Sequence, residues 1–286
     1  MSAQLMPNSG PISTPETISV ISVEQATTWT GSHRLPEDSE RSWRRTRHSC
    51  APYTGSGKVG AARLAVEVGV VVIRAVVFDV GETLVDETRE YGTWADWLGV
   101  PRHTFVSVFG AVIAQGLDYR ETFQVFKPGF DLDQQRQARA DAGKPEWFGE
   151  DDLYPDVRPA LSKLREMGVW VGIVGNQTVR AGGLLRGLDL PTDFIATSDD
   201  WGVAKPDVAF FEKVVEVAGC PADQIIYVGD RIDNDITPAV KVGMRTAYIQ
   251  RGPWGWIHRD RQDVKELSDW RIDSLSELPD IVQAER

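Results

Sequence analysis

The sequence predicts an α/β protein: a doubly wound parallel sheet with an α-helical segment inserted after its first strand. Three observations favour this fold class. Short apolar runs recur after residue 70, and each ends abruptly at a glycine or a polar residue, which is typical of strands buried on both faces of a parallel sheet. Stretches with helical spacing separate those runs. Between residues 87 and 152 the strand patterns disappear and only helical spacing remains.

Composition and charge limit the classes of function. A chain of 286 residues can form one large domain or two modest ones. The net charge of −11 argues against a nucleic-acid-binding surface. Cys50 and Cys220 lie far apart, which suits a reducing cytosol better than a disulfide scaffold. The first thirty residues contain no apolar core of the signal-peptide type, so we expect a cytoplasmic protein without nucleic-acid or membrane partners.

Residues 1–69 differ from the rest of the chain. They are rich in Ser, Thr, Pro and Gly and show no sustained hydrophobic period, which predicts a disordered N-terminal tail. A further hypothesis is that this tail is not native and that translation starts at Val72 from an alternative codon. The predicted organisation is a tail over residues 1–69, an α/β core from residues 70–86 and 153–286, and a helical insertion over residues 87–152.

The first strand is predicted by an apolar run of mostly β-branched residues from Val70 to Phe78, followed directly by Asp79. Arg74 interrupts this run, which is also too short to span a membrane. A continuous apolar run predicts a central strand, so the carboxylate of Asp79 is expected at its carboxyl end. Open α/β sheets bind their ligands at that edge.

The inserted segment shows helical spacing in several pieces. Trp94, Trp97 and Leu98 recur at such spacing, a second run extends over residues 105–113, and a polar third piece covers residues 131–142. Side chains of this segment that could line a cleft are aromatic or basic: Tyr91, Trp94, Trp97, Phe126, Lys127, Lys144 and Trp147.

The next strands also end in polar or glycine-containing turns. The apolar run 169–174 precedes Gly175 and Asn176, and residues 188–196 predict another short strand. If these strands are parallel to the first, their turns lie at the same edge of the sheet as Asp79.

Two later segments carry charged residues at helix starts. Residues 205–207 read Lys-Pro-Asp, and proline fits the first turn of a helix because its missing N–H needs no partner there. The strand 225–228 is followed by Gly229 and Asp230, and Asp235 follows five residues later at another helix start.

Together these segments resemble the motifs of the haloacid dehalogenase-like (HAD) hydrolase superfamily. Residues 78–84, Phe-Asp-Val-Gly-Glu-Thr-Leu, resemble its first motif. The turn at 175–176, the lysine at 205 and the acids at 230 and 235 resemble the second, third and fourth. The resemblance covers about residues 72–283, and the helical insertion stands where the family has its type I cap.

The resemblance implies a Rossmann-like core whose helical cap closes over the site and selects the substrate. It further implies a Mg²⁺-dependent phosphatase acting on a small phosphate ester. Asp79 would be the nucleophile that forms an aspartyl-phosphate. Lys205 would pair with Asp79 and with the phosphoryl oxygens.

The resemblance also implies a set of binding residues. Gly175, Asn176 and Lys205 would bind the phosphoryl group, the first two through the N–H groups of their turn. The ligands of Mg²⁺ would be three carboxylates and one backbone carbonyl: Asp79, Asp230, Asp235 and the carbonyl of Gly81. Asp233 is an alternative to Asp235, which the spacing favours.

Two residues depart from the family pattern. Gly81 stands where most phosphatases of the family have a second aspartate as general acid and base, so a slow phosphatase is expected. Glu82, the next residue, could partly substitute for that acid. Gly175 stands where the family has a hydroxyl that binds the phosphoryl group.

These departures leave alternatives open. One is a dehalogenase or a phosphonatase-like hydrolase on the same scaffold, the latter needing a cap lysine such as Lys127 or Lys144. Another is a non-catalytic descendant that binds a phosphorylated ligand or a protein partner.

Overall fold

The computed structural model describes residues 72–286, so the predicted tail over residues 1–69 lies outside the described residues. The described chain contains six strands, β1 (Ala75–Phe78), β2 (Trp170–Gly175), β3 (Phe194–Thr197), β4 (Ile225–Gly229), β5 (Arg245–Ile249) and β6 (Trp270–Ile272). They form one sheet in the order β3-β2-β1-β4-β5-β6, and every neighbouring pair is parallel. The predicted parallel sheet is therefore confirmed.

Helices connect these strands and flank the sheet. They are α1 (Thr88–Leu98), α2 (Arg102–Ala114), α3 (Glu121–Phe126), α4 (Leu132–Asp141), α5 (Val157–Glu166), α6 (Val179–Gly187), α7 (Ser198–Trp201), α8 (Val208–Ala218), α9 (Thr237–Lys241), α10 (Gly252–His258), α11 (Gln262–Leu267) and α12 (Leu278–Ala284). Shorter 3₁₀ turns and one π-helical turn complete the connections: Glu150–Asp152, Ala222–Gln224, Leu275–Glu277 and the π turn Ile232–Ile236.

The first strand lies at the centre of the sheet, and all four of its residues are fully buried. Helices cover both faces, as the doubly wound fold requires. Leu161 of α5 and Val282 of α12 share an apolar cluster with Phe78, whereas Phe210 of α8 shares another with Val77. Since successive strand side chains point to opposite faces, the two clusters lie on opposite sides of β1.

The third strand is shorter than the sequence pattern predicts. The prediction extended from 188 to 196, but β3 begins at Phe194. Asp189 has a φ of 49°, a left-handed conformation that a strand does not contain, and Pro191 follows it. The apolar residues before Phe194 therefore end α6 and form a turn.

The helices inserted after β1 have an apolar core of their own. Trp94, Phe105, Phe123 and Leu132 come one each from α1, α2, α3 and α4 and share one buried cluster. The rings of Trp94 and Phe123 meet edge to face with their centroids 5.3 Å apart, a favoured aromatic geometry. These contacts hold the four helices together as a group.

This helical group contacts the rest of the chain through Phe109 of α2. Its ring meets Trp254 of α10 edge to face, with 5.1 Å between centroids. We propose that residues 87–152 act as a cap over a core formed by the remaining described residues.

No single helix within residues 72–286 combines the length and the apolar character needed to cross a membrane. Helices α1 and α2 pass that test only as a pair, and a bend of 111° separates them.

Candidate active site

The site lies at the carboxyl edge of the sheet, where β1 and β4 end side by side. Phe78 pairs with Val228 in the parallel register, and the N–H of Asp79 donates to the carbonyl of Val228 at 2.9 Å. Because the strands are in register, the residues that follow them, Asp79 and Asp230, emerge at the same edge.

Three buried carboxylates meet at this edge. Asp79, Asp230 and Asp235 each offer an oxygen, and these three atoms lie within 4.8 Å of one another. Asp235 comes from the π-helical turn after β4, and its Oδ2 accepts a hydrogen bond from the N–H of Arg231 at 3.0 Å. The local turn geometry therefore directs this side chain back toward the strand ends.

Lys205 inserts its ammonium group among these acids. Its Nζ lies 2.6 Å from Oδ1 of Asp79 and 2.6 Å from Oδ1 of Asp235, and the residue is 4% exposed. Burial alone would lower the pKa of Lys205, but the carboxylates of Asp235 and Asp79 raise it well above its ordinary value. Lys205 is therefore held as a buried cation.

Asn176 holds the backbone of Lys205 from both sides. Its Oδ1 accepts from the N–H of Lys205 at 2.7 Å, and its Nδ2 donates to the carbonyl of Lys205 at 2.8 Å. The side chain of Asn176 thus positions the lysine, a contact that the sequence did not indicate. Binding of a phosphoryl group by the N–H groups of this turn stays a prediction.

The single positive charge of Lys205 does not neutralise the charges of three carboxylates. Burial and the charges of Asp235 and Asp79 raise the pKa of Asp230 well above its ordinary value. Burial likewise raises the pKa of Asp235 to about 6, although Lys205 opposes the shift. Oδ2 of Asp230 is buried without a hydrogen-bond partner. A cluster of oxygen donors with an unpartnered buried oxygen could hold a metal ion.

The structure separates the two candidates for the third acid. Asp233 pairs with Arg231 on the protein surface, with 2.7 Å between its Oδ2 and Nη2 of the arginine. Asp235, rather than Asp233, lies with Asp79 and Asp230.

The space beside Gly81 is filled by Glu87. A Cβ atom on residue 81 would lie 2.6 Å from Oε1 of Glu87, closer than such contacts occur. Glu87 is half-buried and immediately precedes α1. Burial and the negative charges of Glu82 and Asp79 raise the pKa of Glu87 well above its ordinary value. Sequence reasoning missed this residue, since no motif includes it.

Glu82, the acid expected to substitute for the missing aspartate, is held by other groups. Its Oε2 accepts from the hydroxyl of Tyr154 at 2.6 Å, and its Oε1 accepts from the N–H of Glu87 at 3.4 Å. Burial raises the pKa of Glu82 to about 7. Its φ of 54° is unusual for a residue with a side chain, so its position is sustained by these contacts.

The second departure from the family pattern also has a steric reason. A Cβ atom on Gly175 would lie 2.7 Å from Oδ1 of Asp79 and 3.1 Å from Cγ2 of Val80. With the Asp79 carboxylate in this position, residue 175 has no room for a side chain.

An open cleft of about 560 Å³ lies over the acids, between the helical insertion and the sheet edge. Asp79, Lys205 and Asp230 line its floor. Other side chains of the cleft come from the insertion, from the turn after β4 and from α10: Tyr91, Tyr119, Arg120, Arg136, Arg231 and Trp254.

Of the cleft-lining candidates in the insertion, the structure places only Tyr91 in this cleft. Trp94 is buried in the core of the helical insertion. Neither Lys127 nor Lys144 is among the residues that line the cleft.

Comparison with known proteins points to one family. The family model for haloacid dehalogenase-like hydrolases matches residues 73–243. The chain is 37% identical over 133 residues to the glyceraldehyde 3-phosphate phosphatase of Methanocaldococcus jannaschii, covering 46% of this chain and 56% of that protein. It is 31% identical over 150 residues to the ribulose-1,5-bisphosphate 5-phosphatase of Halopiger xanaduensis, covering 51% and 63%.

The aligned part of the chain thus spans little more than half the length of these curated relatives. Among solved structures, a Bacillus subtilis HAD-hydrolase bound to magnesium is similar in fold, with a TM-score of 0.53 and 20% identity. That match covers 74% of this chain and 99% of the other.

Proposed function

The chain belongs to the haloacid dehalogenase-like hydrolases, and we propose that it is a Mg²⁺-dependent phosphatase acting on a small phosphate ester through Asp79. The observation that carries this proposal is the buried cluster of Asp79, Asp230 and Asp235 with the ammonium of Lys205 among them. The cluster opens into a cleft large enough for a small metabolite.

In this proposal a carboxylate oxygen of Asp79 attacks phosphorus and forms an aspartyl-phosphate, which water then hydrolyses. Lys205 orients Asp79 through the 2.6 Å contact and offers positive charge to the phosphoryl oxygens. Asn176 supports this role by fixing the backbone of Lys205. The N–H groups of the turn at Gly175 and Asn176 are further donors for the phosphoryl group.

The residues that would hold Mg²⁺ are Asp79, Asp230, Asp235 and the backbone carbonyl of Gly81. Oxygen ligands of this kind suit a hard divalent cation. When bound, Mg²⁺ would neutralise phosphate charge and polarise the phosphoryl group. The unpartnered Oδ2 of Asp230 supports this assignment, because a cation would supply the interaction that the protein does not.

The relatives support the class of substrate. Two of them are named as phosphatases of glyceraldehyde 3-phosphate and ribulose 1,5-bisphosphate, both small phosphorylated compounds. A small phosphorylated substrate is therefore our proposal for this chain too. The cytoplasmic location expected from the sequence stays a prediction.

Two observations weigh against the other hydrolase readings. Dehalogenation needs no metal carboxylates, which would leave the acid cluster at Asp230 and Asp235 unexplained. Phosphonate cleavage needs a lysine of the helical insertion to form a Schiff base in the cleft, and neither Lys127 nor Lys144 lines the cleft.

Release of phosphate from p-nitrophenyl phosphate, measured with Mg²⁺ and with EDTA, tests the proposal. We expect Mg²⁺-dependent turnover that Asp79→Asn abolishes, since the amide cannot attack phosphorus. Asp233→Asn, an exposed acid outside the cluster, serves as the control and should retain activity. Metal-independent release of halide from a haloacid, or no turnover on a broad panel of phosphate esters, would overturn the proposal.

A further inference from the structure

We propose that the carboxyl group of Glu87 is the proton donor and acceptor of the reaction, taking the place of a side chain that residue 81 lacks. This inference rests on the proposed phosphatase function. Cleavage of a P–O ester bond leaves an alkoxide or phenoxide, which needs a proton unless it is a very good leaving group. A group that supplies the proton must lie in the cleft beside the nucleophile.

The position of Glu87 meets this requirement. It lines the same cleft as Asp79 and Gly81. Its Oε1 and Cδ would be 2.6 and 2.8 Å from a Cβ atom on residue 81. Its carboxyl therefore occupies the space that a short acidic side chain at position 81 would need, two residues after the nucleophile.

The Glu87 carboxyl is also available for such a role. Within residues 72–286 no backbone or side-chain group donates a hydrogen bond to it. Glu87 immediately precedes α1, and Trp94 of that helix packs in the buried core of the insertion. Movement of the insertion toward or away from the sheet would therefore carry this carboxyl with it.

The other acids of the cleft have partners. Glu82 accepts from the hydroxyl of Tyr154 at 2.6 Å. The remaining acids outside the metal cluster bind nearby arginines or a backbone N–H: Asp118, Asp133, Asp233 and Asp199. Asp79, Asp230 and Asp235 are assigned to the nucleophile and to the cation. Glu87 is the acid that remains.

The two half-reactions balance with one proton on Glu87. In the first, an oxygen of Asp79 bonds to phosphorus, the P–O bond to the leaving group breaks, and the leaving oxygen takes the proton of Glu87. In the second, the Glu87 carboxylate removes a proton from water as the water oxygen bonds to phosphorus and the Asp79–phosphorus bond breaks. The products are the alcohol and hydrogen phosphate, and Glu87 is protonated again.

The test compares two aryl esters that differ in their leaving group. Phenyl phosphate releases a basic phenoxide that needs a proton, and 2,4-dinitrophenyl phosphate releases one that does not. For Glu87→Gln in the full chain with Mg²⁺, kcat/KM for phenyl phosphate should fall about 10²–10⁴-fold. The value for the dinitrophenyl ester, which reports the first half-reaction only, should stay close to that of the wild type.

A second readout follows from the base role. Glu87→Gln should show a burst of dinitrophenolate equal to the enzyme concentration, because hydrolysis of the aspartyl-phosphate becomes slow. Glu90→Gln is the matched control from the first turn of α1, since its carboxyl binds Arg139 at 3.0 Å. It should change kcat/KM for both esters by the same factor.

A double variant tests the shared space directly. Glu87→Ala should lose phenyl phosphate turnover, and Gly81→Asp in that background should restore it, because the new carboxyl fills the vacated volume. Equal losses on both esters with Glu87→Gln, or no loss on either, would overturn the inference while leaving the phosphatase intact. Failure of the wild type on both esters would instead refute the proposed function, and this inference with it.

Discussion

Nζ of Lys205 lies 2.6 Å from Oδ1 of Asp79. The two residues come from the segment before α8 and from the end of β1, and the sheet brings them together. The lysine also reaches Asp235 at 2.6 Å. Its single charge is therefore the main protein counterion of a buried acid cluster, which leads to the following predictions.

Lys205→Met removes that counterion and leaves three acids buried together. In EDTA we expect the free energy of unfolding to fall by about 3–5 kcal/mol, the usual cost of removing one partner from a buried ion pair. Mg²⁺ should then stabilise the variant more than the wild type. Urea denaturation with and without Mg²⁺ measures both effects. Lys163→Met, at an exposed pair with Glu166, is the control; equal stability of Lys205→Met and the wild type in EDTA would contradict the prediction.

Asp230→Asn removes one charge from the cluster at the residue whose Oδ2 has no partner. In EDTA this variant should melt at a higher temperature than the wild type, because repulsion and the burial of a charge are both reduced. It should lose the stabilisation by Mg²⁺, which for the wild type is about 2.7 kcal/mol at 100 times the dissociation constant. Thermal melts with a magnesium titration check this. Asp233→Asn should keep the response, and a full response in Asp230→Asn would argue against the assigned metal site.

Gly175→Ala places a methyl group 2.7 Å from Oδ1 of Asp79. We expect the carboxylate to be displaced, phosphatase activity to fall, and stability to drop by about 1–3 kcal/mol as in other overpacked sites. Gly183→Ala in α6 has open space around its Cβ and should gain up to about 1 kcal/mol of stability. Steady-state rates and urea melts compare the two. Unchanged activity in Gly175→Ala would show that Asp79 tolerates a side chain there.

Asp156 joins Arg251 to the turn before α12. Its Oδ2 accepts from Arg251, from the hydroxyl of Ser274 at 2.6 Å and from the N–H of Leu275 at 2.9 Å. Burial opposes ionisation, but the hydrogen bonds from Ser274 and Arg251 lower the pKa of Asp156 below its usual range.

A pKa lowered by folding means that this carboxylate stabilises the protein fully above its unfolded pKa, about 3.9. That stabilisation is lost as the pH falls through the folded pKa. Asp156→Asn should therefore cost more stability at neutral pH than at about pH 3. Urea denaturation at both pH values tests this. Asp280→Asn, an exposed acid on α12, should change stability by less than about 0.5 kcal/mol, and a pH-independent cost of Asp156→Asn would refute the prediction.

Much of the fold could be predicted because its signals are local. The run ending at Phe78 is buried on both faces of the sheet, and such a strand must be apolar throughout. The polar residues that follow β1 and β4 then share one edge by parallel register. The predicted start of β3 was wrong because the apolar residues before Phe194 end a helix and form a turn. An apolar run alone does not distinguish a strand from a helix end or a turn.

The sequence by itself determined the parallel sheet, the helical insertion after β1 and the acids at the strand ends, because hydrophobic period and turn residues are properties of neighbouring positions. The tertiary structure decided that Glu87 fills the space beside Gly81 and that Asp79 excludes a side chain at position 175. It also decided that the Asn176 side chain forms two hydrogen bonds with the backbone of Lys205. Those relations join residues brought together only when separate strands and helices pack, and their distances depend on side-chain volumes that no local pattern records.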